Sequence, residues 1–318
     1  MNEGQGSSAF LTDITSGGTS IIGLKFSNVV VDSINTATGI AQMHFTPLNN
    51  KNEMLARDQP GGAIAWQMKM DAVTGNWLMN GNQRIASVSV RTTAGMHTCN
   101  PANNACTMAT KYTTGLSFYI NNKGQQAIGS AVVTGTGLPV GGVTLTVQLN
   151  QTWFNITTTN ANNTCVGGCG NNWNMADSEI ALVLPNSVYT VKLYSNATTP
   201  VLLATYTEVV PVAPVLNTAI AVLAYPSITG MVNLAGVGAT TLTPSWAIPV
   251  GLYGDWLSVY VWQSGTNLSI GAELNATSAS SGTSTIVITA PATGTWSNGN
   301  YWISAWDQYG GKVSTDYQ

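Results

Sequence analysis

The chain has 318 residues, 44% of them hydrophobic and only 7% charged, with a formal net charge of −3. Its length allows two or three hydrophobic cores, while a charged fraction far below the quarter usual in soluble proteins leaves Thr, Ser, Asn, Gln and Gly to cover the surface. That balance suits an extracellular β protein. It offers no basic footprint for nucleic acid, and the longest apolar run, PVAPVLNTAIAVLAYP, is broken by prolines and falls short of the roughly 20 residues of a membrane span.

Residues 1–17, MNEGQGSSAFLTDITSG, lack the basic flank and apolar core of a secretory signal. They read as a flexible lead, expected of a mature form or a fragment if the protein is exported. From Ser20 the pattern becomes strand, turn, strand: SIIGLKFSNVVVDSI, NTATG, IAQMHFTPL, then GAIAWQMKM, DAVTG, NWLMNGNQRIASVSV. Apolar residues alternate and each pair is joined by a Gly-containing turn, so 18–83 reads as two hairpins forming a four-stranded antiparallel sheet. No amphipathic helix is visible to cover its apolar face, so another segment or subunit is expected to complete it. The phrase DAVTGNWLMNGNQR resembles the closing hairpin of domains in the nuclear-transport-factor-2-like superfamily, a resemblance that implies a curved sheet packed on helices. The helices such domains carry upstream are absent from this sequence.

Residues 84–212 read as an irregular β-sandwich, with strands in GLSFYINNKGQQAIGSAVVTGTGLPVGGVTLTVQL and SVYTVKLYSNATTPVLLATYTEVV, and with cysteine loops at 99–106 and 162–170. A proline-punctuated linker, 213–226, follows. In 227–318 the strands DWLSVYVWQSG and NYWISAWDQYGGKVS, Trp246 followed by Pro249, and Tyr301 near the start of the penultimate strand resemble a fibronectin type III domain. The fold class expected is therefore all-β, with tandem immunoglobulin- or fibronectin III-like sandwiches after an N-terminal hairpin sheet.

The four cysteines do not have zinc spacing, because six residues separate Cys99 from Cys106, where metal pairs leave two to four. Cys165 and Cys169 sit in a Gly- and Asn-rich loop, unlike a redox motif at a helix start. Two local disulfides, Cys99–Cys106 and Cys165–Cys169, are the expected pairing, with cross-pairing of the two loops as the competing arrangement, and an oxidising compartment follows. Sequons occur at Asn150, Asn155, Asn162, Asn196, Asn267 and Asn275, where glycosylation competes with chance occurrence in an Asn- and Thr-rich chain.

Catalytic signatures are missing from the sequence. His44 falls within a strand and His97 beside a cysteine loop, both read as structural or solvated. Asp177 and Glu179 could form a carboxylate pair, yet ADSEI before an apolar run more simply starts a helix. No enzyme activity, cofactor or metal is expected. What stands out is aromatic: alternation in WLSVYVW and YWISAW turns Leu257, Val259, Val261, Tyr301, Ile303 and Ala305 inward. Trp256, Tyr260, Trp262, Trp302 and Trp306 then share one outer face, a candidate interface. These two strands carry few groups able to read sugar hydroxyls, which favours packing against another domain or subunit. The function expected is a secreted or cell-surface structural protein that associates with itself in a filament, layer or matrix. The alternative is an adhesin or module binding surface glycans or protein.

Overall fold

The computed structural model describes residues 25–48, 52, 54–56, 62–81, 84–122, 127–147, 152–160, 162–163, 170–274 and 280–318. The protein is nearly all β, in several antiparallel sheets, as the alternating patterns require. It divides into two compact units. The first comprises Met1–Val90, Phe118–Asn171 and Asn186–Pro211, and the second Arg91–Ser117, Asn172–Pro185 and Val212–Gln318. The stretch read from sequence as one sandwich, 84–212, is thus shared between them.

The first unit holds two sheets. β1 (Lys25–Asn35), β2 (Ile40–Leu48), β3 (Ile64–Met70) and β4 (Trp77–Gly81) form an antiparallel meander in chain order. Its hairpins turn at NTATG and DAVTG, where the Asn35 and Asp71 side chains accept hydrogen bonds from backbone N–H groups two and three residues ahead, as Asx turns do. After β5 (Ser87–Thr98) and β6 (Lys111–Asn121) come β7 (Ile128–Gly135), β8 (Val143–Val147) and β9 (Phe154–Ile156). With β11 (Ser187–Ser195) and β12 (Leu202–Val210), these make a five-stranded sheet ordered β12-β11-β7-β8-β9. Its buried face carries Ala131, Val133, Val143, Leu145, Phe154, Ile156, Tyr189, Val191 and Leu193. Tyr189 lies across Gly135, whose missing side chain leaves the space that the ring fills. The Tyr189 hydroxyl donates to the Thr136 carbonyl at 2.9 Å. Arg84 pairs with Glu208 at 2.6 Å and stacks over Tyr206, while the Ile85 N–H donates to the Tyr206 hydroxyl. These contacts fix the chain just beyond β4 to β12.

The second unit contains β10 (Asn172–Asn174), α1 (Asp177–Ile180), β13 (Ser227–Thr229), β14 (Thr240–Leu242), β15 (Ser245–Ala247), β16 (Tyr253–Gln263) and β17 (Thr266–Glu273). β18 (Ser281–Thr283), β19 (Ile286–Ile288), β20 (Asn298–Trp306) and β21 (Lys312–Tyr317) complete it. A seven-stranded sheet runs β10-β6-β5-β21-β20-β16-β17, beside a three-stranded sheet β13-β15-β18 and a pair β14-β19. β21 joins β5 in parallel, from Lys312 opposite Thr93 to Tyr317 opposite Thr98, while the other strand pairs of known register are antiparallel. The core between the sheets includes Ile228, Leu234, Leu257, Val259, Val261, Ile286, Trp296, Tyr301 and Ile303. Cys99 and Cys106 form the expected disulfide in the loop between β5 and β6. Among the described residues no helix is long and apolar enough to cross a membrane.

Candidate interaction surfaces

One face of the N-terminal sheet is apolar across its whole width. Cross-strand partners lie on the same face, so the registers put Phe26, Val31 and Ile34 of β1 with Ala41, Met43 and Phe45 of β2. Ile64, Trp66 and Met68 of β3, then Met79 and Trp77 of β4 with Met70, continue that face. Every one of these side chains is apolar. Phe26, Phe45 and Trp66 run edge to face across three strands, with centroids 4.8 and 5.0 Å apart. Phe45 and Ala41 are buried at the centre, but Val31 and Ile34 are each 57% exposed, and Phe26, Met70, Trp77 and Met79 are also exposed. The opposite face carries Ser33, Gln42, His44, Gln67 and Lys69, interspersed with the exposed Val30 and Leu78. There His44 Nδ1 meets Asp32 Oδ1 at 2.7 Å and Asn80 donates to Gln67. His44 therefore sits on the polar face, with the carboxylate of a neighbouring strand as its partner.

The second surface is the outer face of the seven-stranded sheet. Leu257, Val259, Val261, Tyr301, Ile303 and Ala305 are all buried. The register pairs Trp256 with Ser304, Ser258 with Trp302, Tyr260 with Asn300 and Trp262 with Asn298, so Trp256, Tyr260, Trp262 and Trp302 share the other side. The rings are not equivalent. Lys312 Nζ stands 4.7 Å from the Trp302 centroid and 4.8 Å from that of Trp306, and the Arg91 guanidinium lies 4.7 Å over Trp306. Trp306 is only 8% exposed. The chain's own cations thus cover two of the five rings, and Asp255 holds Lys312 there at 3.3 Å while accepting from the Ser304 hydroxyl at 2.6 Å. Trp256 and Tyr260 remain exposed, and Tyr260 lies beside Trp262 at 5.3 Å with a tilt of 33°.

Farther along the same face His97 Nδ1 lies 3.4 Å from Asp316 Oδ2, its Nε2 lies 3.3 Å from Thr113 Oγ1, and Asn300 donates to Asp316 Oδ1 at 2.6 Å. Burial opposes the Asp316 charge, but hydrogen bonds from His97, Gln318 and Asn300 outweigh it and hold the carboxyl below its usual range. Hydroxyl, imidazole and carboxylate thus form a chain on an open strand surface, with contacts longer than those of a tight proton relay. Sequence reasoning missed this cluster, because its members lie up to 219 residues apart and meet only through the parallel β5–β21 pair.

The remaining sequence candidates divide. Asp177 accepts from the Asn217 backbone and side chain, which hold it below its usual range. Glu179 accepts from the Ala176 N–H, as an N-terminal helix residue does. Asn162, Asn196 and Asn267 are exposed and Asn155 is half-buried. Cys165, Cys169, Asn150 and Asn275 lie outside the described residues. Among the described residues no group of three His, Cys, Asp or Glu side chains is placed to hold a metal ion. Comparison with protein-family models, with curated proteins and with solved structures finds no match for this chain.

Proposed function

We propose that this chain is a secreted or cell-surface structural protein, a self-associating subunit of a filament, layer or matrix. The observation that carries the reading is the uncharged apolar face of β1–β4, and the occupant is a second copy of the same face. With no charge on it, like can meet like without electrostatic cost, while Asp32, His44 and Lys69 lie on the other side. Sheets stack roughly 10 Å apart, and a four-stranded patch about seven residues long offers roughly 400 Å² in projection. A face-to-face pair then buries roughly 800 Å² in projection, at the weak end of specific interfaces. Assembly is therefore concentration-dependent and gains from repetition in a polymer. The Cys99–Cys106 disulfide supports an oxidising compartment. The fibronectin type III resemblance of 227–318 is supported by strand order, because β17-β16-β20-β21 run together beside a separate β13-β15-β18 sheet. The nuclear-transport-factor-2-like resemblance has less support, since the elements named between residues 25 and 81 are the strands β1–β4.

The test is light scattering and negative-stain microscopy of wild type beside Val31→Lys/Met79→Lys, two exposed positions on the apolar face. Wild type should form concentration-dependent oligomers, and the double variant should remain monomeric with an unchanged circular dichroism spectrum. A wild type that stays monomeric at high concentration rejects the proposal.

A further inference from the structure

We infer that the Tyr260–Trp262 surface of the second unit is a binding platform for a neutral carbohydrate chain. This rests on residues of β16, β17 and β20 and is independent of self-association through the N-terminal sheet. The two strands that carry the rings offer few sugar-reading groups along their own sequence, but the registers supply them from both sides. Trp262 stands between Asn298 on β20 and Asn267 on β17, and Tyr260 between Asn300 and Ser269. The result is a central column of two rings flanked by amides and a hydroxyl.

That arrangement matches the two surfaces of a pyranose. The C–H-bearing face of the sugar ring packs on an aromatic face, and its equatorial hydroxyls reach sideways to donors and acceptors in the sheet plane. Tyr260 and Trp262 have centroids 5.3 Å apart and planes tilted by 33°, so they form one aromatic cluster rather than a T-shaped pair. Unlike Trp302 and Trp306, they have no cation over them among the contacts described. Asn300 brings a second observation. Its amide N–H donates to Asp316 at 2.6 Å, but its buried Oδ1 has no hydrogen-bond partner.

Charge selects the class of sugar. The charged side chains nearest the column in register are Glu273, opposite Trp256, and Asp316, opposite Trp302, and both are acidic. Lys312, the nearby cation, is engaged by Asp255. An acidic polysaccharide would meet like charge, whereas a neutral one meets none. The carbohydrate has two sources: a free polysaccharide, or a glycan linked to Asn267, which is an exposed sequon in register with Trp262.

The experiment is affinity electrophoresis of the full chain, made without glycosylation in a bacterial periplasm, through gels containing hydroxyethylcellulose, glucomannan, glycol chitin or alginate. Pull-down on microcrystalline cellulose and chitin runs in parallel. Retardation is expected in at least one neutral gel and not in alginate. Tyr260→Ser and Trp262→Ala should each weaken it by about tenfold or more, equivalent to about 1.4 kcal/mol. Asn300→Ala should weaken it less, while Trp256→Ala, away from the amide-flanked column, should retain binding. Tyr260→Phe keeps the ring and should also retain binding, which guards against misfolding as the cause of loss. In protein secreted from a glycosylating host, a glycan on Asn267 should suppress binding in trans, and Asn267→Gln should restore it, identifying the linked glycan as the occupant. Absence of retardation in every neutral gel together with no effect of Asn267 occupancy on Trp fluorescence overturns the inference. So does retardation that Tyr260→Ser leaves unchanged.

Discussion

At Asp307, burial pushes the carboxyl above its ordinary range, against hydrogen bonds accepted from the Gly311 and Tyr309 N–H groups. A raised folded value means that ionisation costs stability above that value, and that the cost fades as pH falls toward the unfolded value of about 3.9. Asp307→Asn keeps an acceptor for the turn and removes the charge. It should raise the melting temperature at pH 7 by a few degrees, with the gain shrinking as melts are repeated down to about pH 4. Asp316 has the opposite sign. Held below its ordinary range, it contributes stability above about pH 3.9 that is lost as pH falls through the depressed folded value. Asp316→Asn should cost about 1–2 kcal/mol at pH 7, and almost nothing in acid. The inward and outward side chains of β16 and β20 were legible in the sequence, because alternation is a local property. The Asp316–His97 contact was not, because no local pattern links positions 219 residues apart.

Among the elements, β7 and β11 show how one missing side chain sets a packing. A Cβ on Gly135 would enter the Tyr189 ring, in a sheet whose buried face has no room to shift. Gly135→Ala should destabilise the first unit by about 1–3 kcal/mol by urea unfolding, while Gly141→Ala, in open space, should be close to neutral. The loop closed by Cys99 and Cys106, with a sequence separation of 7, stabilises mainly by restricting the unfolded chain, by about 2.5 kcal/mol on the loop-entropy account. Reduction, or Cys99→Ser/Cys106→Ser, should lower the urea midpoint accordingly. The four-stranded N-terminal sheet and its apolar face could be read from sequence, since period-two alternation and Gly turns mark each hairpin. The division of the aromatic surface into covered and open rings could not. Arg91 arrives from β5 and Lys312 from β21, strands whose adjacency the hydrophobic pattern does not encode.

For the molecule as a whole, the sequence indicated the all-β class, but compact units made of separated segments escaped it, because periodicity tells which residues pair with their neighbours and is silent on distant returns. The parallel seam between β5 and β21 bears on how the protein reaches its native state. The strand that accepts β21 is synthesised more than two hundred residues earlier, so β5 waits through the making of most of the chain with one edge unpaired. Ordering so long a loop is slow, since its entropy is lost before the pairing compensates, and an open edge in the interval invites pairing with other chains. Refolding from urea should therefore show the second unit acquiring protected amides later than the β1–β4 hairpins in pulsed hydrogen exchange. A chain shortened to end at residue 311 should leave that unit open. Until the last strand emerges, that edge has to be kept away from other chains, and the time spent waiting is when aggregation competes most strongly with folding.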